Sequence, residues 1–139
     1  DAPYAYYATL RSLAQWCDFL VVATPGGAQT RHLVNAEVLD ALGPAGFVVN
    51  IARGSVVDSA ALGRAVRDGR IAGAALDVYE GEPRPSPELL GLGNVIFTPH
   101  IAGWSPEAVQ NSVSQFLRNA DGHFAGRGPV SPIVGNAAG

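Results

Sequence analysis

Three side chains in this 139-residue sequence stand just beyond separate apolar runs and carry complementary chemistry. Arg53 closes the run GFVVNIA, Glu82 lies four residues past the run ending at Val78, and His100 follows VIFT and Pro99. A guanidinium offers a planar fork of donors suited to a carboxylate or an α-keto acid. An imidazole can give up and recover a proton near neutral pH. A carboxylate beside it orients the ring and stabilises its protonated form. Together they are equipment for reducing a carbonyl that sits next to a carboxylate. No side chain supplies hydride, so such a reaction needs a cofactor. Taken singly, each residue has a plainer reading: a surface Arg at a strand end, a loop carboxylate beside Pro83, a His capping a turn. Their common position beyond strand ends is what joins them.

That position depends on the elements that carry them. The runs Asp18–Ala23, Gly46–Ala52, Ile71–Val78 and Val95–Thr98 are short, rich in Val and Ala, and closed by Pro, Gly or Arg-Gly. They do not alternate polar with apolar, the pattern expected of parallel strands covered on both faces. Helical patterns fall between them. Residues 9–16 suggest a short helix; Asn35 can cap a helix ending at Leu42 before Gly43-Pro44; Asp58 or Ser59 can cap another that stops at Gly69. Strand–helix–strand alternation predicts an α/β fold with a parallel, Rossmann-like sheet and right-handed crossovers. All the strands then end at one rim, where ligands bind in open α/β sheets. Beyond Gly103, Ser105-Pro106-Glu107 is a strong helix start. The helix is expected to reach about Phe124, with Ala108, Val109, Val113, Phe116 and Leu117 on one side. The Gly/Pro-rich tail reads as an extended arm.

Composition limits the alternatives. With 47% apolar and 15% charged residues, the chain is unsuited to disorder. The net charge is −3 and the nine basic residues do not cluster, so no nucleic-acid surface is expected. One cysteine, Cys17, excludes a disulfide framework and a cysteine-based zinc site, and no metal is expected. No apolar run approaches the length of a membrane span, no signal peptide opens the chain, and a cytoplasmic domain is expected. His32 and His123 read as solvated, Cys17 as a small packed residue, and Tyr4, Tyr6 and Tyr7 as packing at a domain edge.

The segments CDFLVVATP, TRHLVNAEVLDALGPAGFVVNIARGSVVD, GRIAGAALDVYEGEP and NVIFTPHIAGWSPEA resemble the C-terminal half of the D-isomer-specific 2-hydroxyacid dehydrogenases, particularly the glyoxylate/hydroxypyruvate and hydroxyphenylpyruvate reductases. The resemblance implies a homodimeric oxidoreductase moving hydride between NADP or NAD and a small 2-keto acid. NADP is slightly favoured. It implies that Arg53 binds the substrate carboxylate and keto oxygen, that His100 is the acid–base group, and that Glu82 hydrogen-bonds His100. It further implies that Asp77 contacts the nicotinamide carboxamide, that Ala52 lies beside the ring, that Thr24, Pro25 and Thr30 line the cofactor groove, and that Gly103 sits close to the ring. Residues 1–104 correspond to the second half of a dinucleotide-binding domain, 105–124 to an interdomain helix, and 125–139 to a tail of the substrate domain.

Two departures are visible. Gly26-Gly27 stand where the family usually has Leu-Thr or a similar pair, and Ala102-Gly103-Trp104 follow His100-Ile101 where two glycines are common. The fingerprint G-x-G-x-x-G does not occur and is expected upstream of Asp1. On this reading the chain alone is a fragment with little turnover and an exposed apolar edge strand. The alternative is a non-catalytic cofactor-binding or oligomerisation module of the same fold.

Overall fold

A computed structural model describes residues 3–132 of the chain. It divides into two compact units, Asp1–Ile101 and Ala102–Gly139.

The first unit begins with α1 (Leu10–Trp16), whose Thr9 hydroxyl accepts the Ser12 amide at 3.1 Å. β1 (Phe19–Val22) leads to α2 (Ala36–Leu42), capped by Asn35 Oδ1 accepting from the Val38 amide. β2 (Phe47–Asn50) leads to α3 (Ser59–Arg67), capped by Asp58 accepting from the Ala61 amide at 2.9 Å. β3 (Gly73–Leu76) and β4 (Val95–Phe97) complete the sheet. These caps satisfy amides that have no partner within their own helix. The strands are all parallel, in the order β1-β2-β3-β4, so each pairs with its predecessor in sequence.

Stepping always in one direction with right-handed crossovers sends successive helices to the same side. The core lies there: Leu20, Val22, Val48, Ala74 and Leu76 pack with Leu39, Leu62, Ala65 and Val66. The other face departs from the expectation of a sheet covered on both sides. Phe19 is 62% and Ile96 65% exposed, and Val21 and Phe47 are also exposed. The Phe19 and Phe47 rings stack on this face with centroids 5.2 Å apart. The apolar runs were continuous because one face packs on helices and the other is apolar in its own right. β1 is an edge strand of this sheet.

Two 3-10 turns, Ala28–Thr30 and Gly54–Val56, follow β1 and β2 and had no clear sequence signal. They are joined by a bridge between Val34 and Val57 and by the His32 amide donating to the Ser55 carbonyl at 2.8 Å.

The second unit contains α4 (Pro106–Phe124), with Ser105 Oγ accepting from the Ala108 amide at 3.1 Å. Val109, Val113, Phe116 and Leu117 are exposed on it. The expected extended arm is instead folded back as far as Ser131. Asn119 exchanges hydrogen bonds with Ser131, and the Arg127 amide donates to the Gly122 carbonyl. Gly122 permits this, since a Cβ there would lie 2.2 Å from the Gly128 carbonyl oxygen. The rest of the tail lies outside the described residues. Among the described residues, no helix is long and apolar enough to cross a membrane.

A contest of effects at Gly63, within α3, gives a test of the packing. Alanine would improve helix propensity by about 1 kcal/mol. Its methyl group would, however, lie 2.5 Å from the Glu88 carbonyl oxygen, with rigid backbone behind it. We expect overpacking to win, with Gly63→Ala destabilising by about 1–3 kcal/mol and lowering the urea midpoint at unchanged slope. A raised midpoint would show that the 88 segment yields freely.

Candidate active site

The parallel arrangement brings the ends of β1, β2 and β3 to one rim. There a cavity of about 970 Å³ is lined by residues 23–27, Arg31, residues 51–55 and residues 79–82. Thr24, Pro25, Ala52, Arg53 and Glu82 all stand in its wall. His100 joins it through a hydrogen bond: its Nδ1 lies 2.9 Å from Glu82 Oε2. The other Glu82 oxygen, Oε1, accepts the Tyr79 amide at 3.0 Å. The carboxylate is therefore fixed at both ends. An ionised carboxylate only accepts, so Nδ1 is the protonated nitrogen in this pair and Nε2 is left as the working one.

The His100 backbone is held in the left-handed region, φ 57°, which a non-glycine residue adopts only when its surroundings impose it. Asp77 supplies much of that constraint. Its carbonyl accepts the His100 amide at 3.1 Å, and its Oδ1 accepts the Ile101 amide at 2.9 Å and the Thr98 hydroxyl. Asp77 is buried, and its observed contacts anchor the loop that carries His100.

Arg53 is held from its backbone. Asn50, fully buried at the end of β2, donates from Nδ2 to the Arg53 carbonyl at 3.1 Å and to the Val78 carbonyl at 3.2 Å. Its Oδ1 accepts the Ala52 amide at 3.1 Å. Arg53 Nη1 donates to the Ala52 carbonyl at 2.6 Å. Gly54 passes so close to the next loop that a Cβ would lie 2.2 Å from the Tyr79 carbonyl carbon. The remaining N–H groups of the fork are the ones a bound carboxylate can use.

Four expected residues are not among those lining the cavity: His100 and Asp77, whose contacts are given above, and Thr30 and Gly103. Thr30 spends its hydroxyl on the Pro25 carbonyl at 2.9 Å, so it shapes the loop after β1 from behind. Gly103 lies in the turn before α4, in the second unit, and is exposed there.

His32 corrects an expectation. It is not solvated but only 34% exposed, with Nε2 2.8 Å from Glu80 Oε1. Glu80 Oε2 accepts the Ser59 amide at the start of α3, at 3.1 Å. Arg31 Nη2 and Asp58 Oδ2 complete the cluster, 3.8 Å from Glu80 and 3.9 Å from His32. His32 too has a left-handed backbone, φ 52°. The pair ties the loops after β1 and β3 together, with Glu80 itself in the cavity wall. Sequence reading missed it because the partners are 48 residues apart. Asn50 was also missed, though a polar side chain inside an apolar strand was its signal. Cys17 is a partly buried thiol whose pKa burial pushes up, in keeping with a packing role.

The small, backbone-rich wall formed by Thr24, Pro25, Gly26, Gly27, Ala52 and Gly54 fits a flat ring and its ribose, which need close approach without bulky side chains. The donor set fits the nicotinamide end of a dinucleotide.

Burial opposes ionisation of the Glu80 carboxyl, but hydrogen bonds from His32 and from Ser59 outweigh it and hold its pKa below the usual 4.5. A carboxyl lowered on folding adds stability above its unfolded pKa and loses it as pH falls through the folded value. The native protein should therefore lose stability on acidification from about pH 5 downward. Glu80→Gln should flatten that limb in denaturation midpoints measured against pH. An unchanged acid limb would show that the His32–Glu80 tie contributes nothing.

Comparison with known proteins agrees with this geometry. Residues 1–102 match the family model "D-isomer specific 2-hydroxyacid dehydrogenase, NAD binding domain". The chain is 44% identical over 134 residues to a glyoxylate/hydroxypyruvate reductase of Arabidopsis thaliana, covering 96% of this chain and 43% of that protein. It is 41% identical to a hydroxyphenylpyruvate reductase of Plectranthus scutellarioides, covering 94% of this chain and 42% of that protein. Its fold superposes, with a TM-score of 0.88 and 40% identity, on an NADPH-dependent glyoxylate/hydroxypyruvate reductase of Sinorhizobium meliloti solved with NADP and malonate, over 96% of this chain and 42% of that one. The chain thus spans about two-fifths of the length of these relatives. With the α/β sheet, the rim cavity and these matches together, the chain belongs to the D-isomer-specific 2-hydroxyacid dehydrogenase family and carries sequence of its NAD-binding domain.

Proposed function

We propose that this chain supplies the substrate-binding guanidinium, the acid–base imidazole and the nicotinamide end of the cofactor groove in an NAD(P)H-dependent reductase of small 2-keto acids such as glyoxylate or hydroxypyruvate. The observation that carries this reading is the His100–Glu82 pair, 2.9 Å apart, with Glu82 in the same cavity wall as Arg53. The guanidinium of Arg53 binds the substrate carboxylate and keto oxygen. In the imidazolium form, with a proton on each ring nitrogen, Nε2 of His100 gives its proton to the keto oxygen as the substrate becomes a 2-hydroxy acid, while Glu82 holds the Nδ1–H that remains. The bound nicotinamide cofactor supplies the hydride.

Thr24, Pro25 and Ala52 line the groove on this reading. Asp77 accepts from the carboxamide as well as anchoring the His100 loop. The NADP content of the Sinorhizobium relative supports NADP as the cofactor. Family resemblance supports a homodimer, and the assignment of 105–124 and 125–139 to a return helix and a substrate-domain tail.

In the intact protein, Arg53→Ala should raise KM for glyoxylate and lower kcat together. His100→Gln should cost about 10²–10⁴-fold in kcat. Glu82→Gln should also lower kcat, by on the order of 10² or more, because an amide does not enforce the tautomer. Steady-state NAD(P)H oxidation reads all three. Wild-type kcat/KM in either the Arg53 or the His100 variant would reject the assignment, as expected of a non-catalytic module.

A further inference from the structure

The two adjacent glycines after Pro25 are glycine for different reasons. Gly27 has φ 153° and nothing within 4 Å of where its Cβ would be, so its constraint is conformational. Gly26 adopts a backbone open to any residue, yet a Cβ there would lie 2.8 Å from Arg53 Cγ and 3.1 Å from Arg53 Cβ. Contacts under 3.0 Å do not occur between real carbon atoms of this kind. The constraint at Gly26 is the stem of Arg53.

Neither neighbour can step aside cheaply. The Arg53 carbonyl is held by buried Asn50, and Gly54 is already pressed against the Tyr79 backbone. The Gly26 loop is pinned from behind by the Thr30 hydroxyl on the Pro25 carbonyl. The freest coordinates left are the side-chain torsions of Arg53. The crowded atoms are at the root of that side chain, so a small turn there swings the whole guanidinium and breaks the 2.6 Å bond to the Ala52 carbonyl.

We infer that Gly26 is a positioning residue for the carboxylate-binding guanidinium: its missing side chain lets the loop after β1 close on the Arg53 stem and sets where the fork points. This rests on the reading of Arg53 as the substrate-carboxylate ligand.

The test is a double-mutant cycle in the intact protein, with glyoxylate as substrate and NADPH affinity followed by fluorescence. Gly26→Ala is expected to raise KM for glyoxylate about tenfold while kcat falls less than about threefold, since a displacement near 1 Å of a positioned group can cost up to about 10²-fold. Gly26 also stands in the cofactor-facing wall, so NADPH Kd can rise, but by several-fold less than KM for glyoxylate. In the Arg53→Ala background, where Cγ is gone, the same substitution should change KM less than about twofold. An equal effect in both backgrounds overturns the inference, as does a shift in NADPH Kd that matches the KM change. If Gly26→Ala fails to fold, recovery of folding in Gly26→Ala/Arg53→Ala supports it, and continued failure overturns it. A wild-type KM in Gly26→Ala beside a crippled Arg53→Ala overturns this inference alone. A wild-type KM in Arg53→Ala itself overturns the carboxylate assignment on which it rests.

Discussion

A single buried amide, that of Asn50, governs the working end of this sheet. It sits at the last residue of β2 with no solvent contact, and its three hydrogen bonds reach Ala52, Arg53 and Val78. A polar group so deeply placed is tolerated only because both its donor and its acceptor sides are used. In satisfying itself, it binds the loop after β2 to the end of the β3 segment. The cavity exists because these loops are held apart by fixed amounts, and Asn50 fixes one of them.

The other groups at the rim are held in similar fashion, each by a contact distant in sequence. Glu82 is clamped between the Tyr79 amide and His100; Asp77 anchors the turn in which His100 is held left-handed; Glu80 reaches His32 and the start of α3. The sheet supplies only common direction. The final placement comes from side chains that accept backbone amides, which makes the rim rigid where chemistry needs it.

This division explains what could be read in the sequence. The strands, the helix caps at Asn35, Asp58 and Ser105, and the stop at Gly69 are local signals, and they appear in the structure where the residues indicate. The convergence of Arg53, Glu82 and His100 near one rim was legible too, because parallel strands force it. The His32–Glu80 tie was not, since neither residue announces a partner so far along the chain. The bare sheet face was hidden for a different reason. An apolar strand looks the same whether its second face is covered or open, and only the direction of the crossovers decides. The tail was misjudged because Gly128 and Gly126, which suggest looseness, also allow a tight reversal onto Gly122.

The strand order has a kinetic meaning as well. Every strand pairs with the one before it, and paired residues are about 20–30 positions apart throughout. No pairing must wait for a distant stretch to arrive. The sheet can therefore grow strand by strand, from β1 toward β4, as the polypeptide leaves the ribosome, with each helix docking before the next strand is made. The rim loops, whose ties cross between strands, would be the last parts to set.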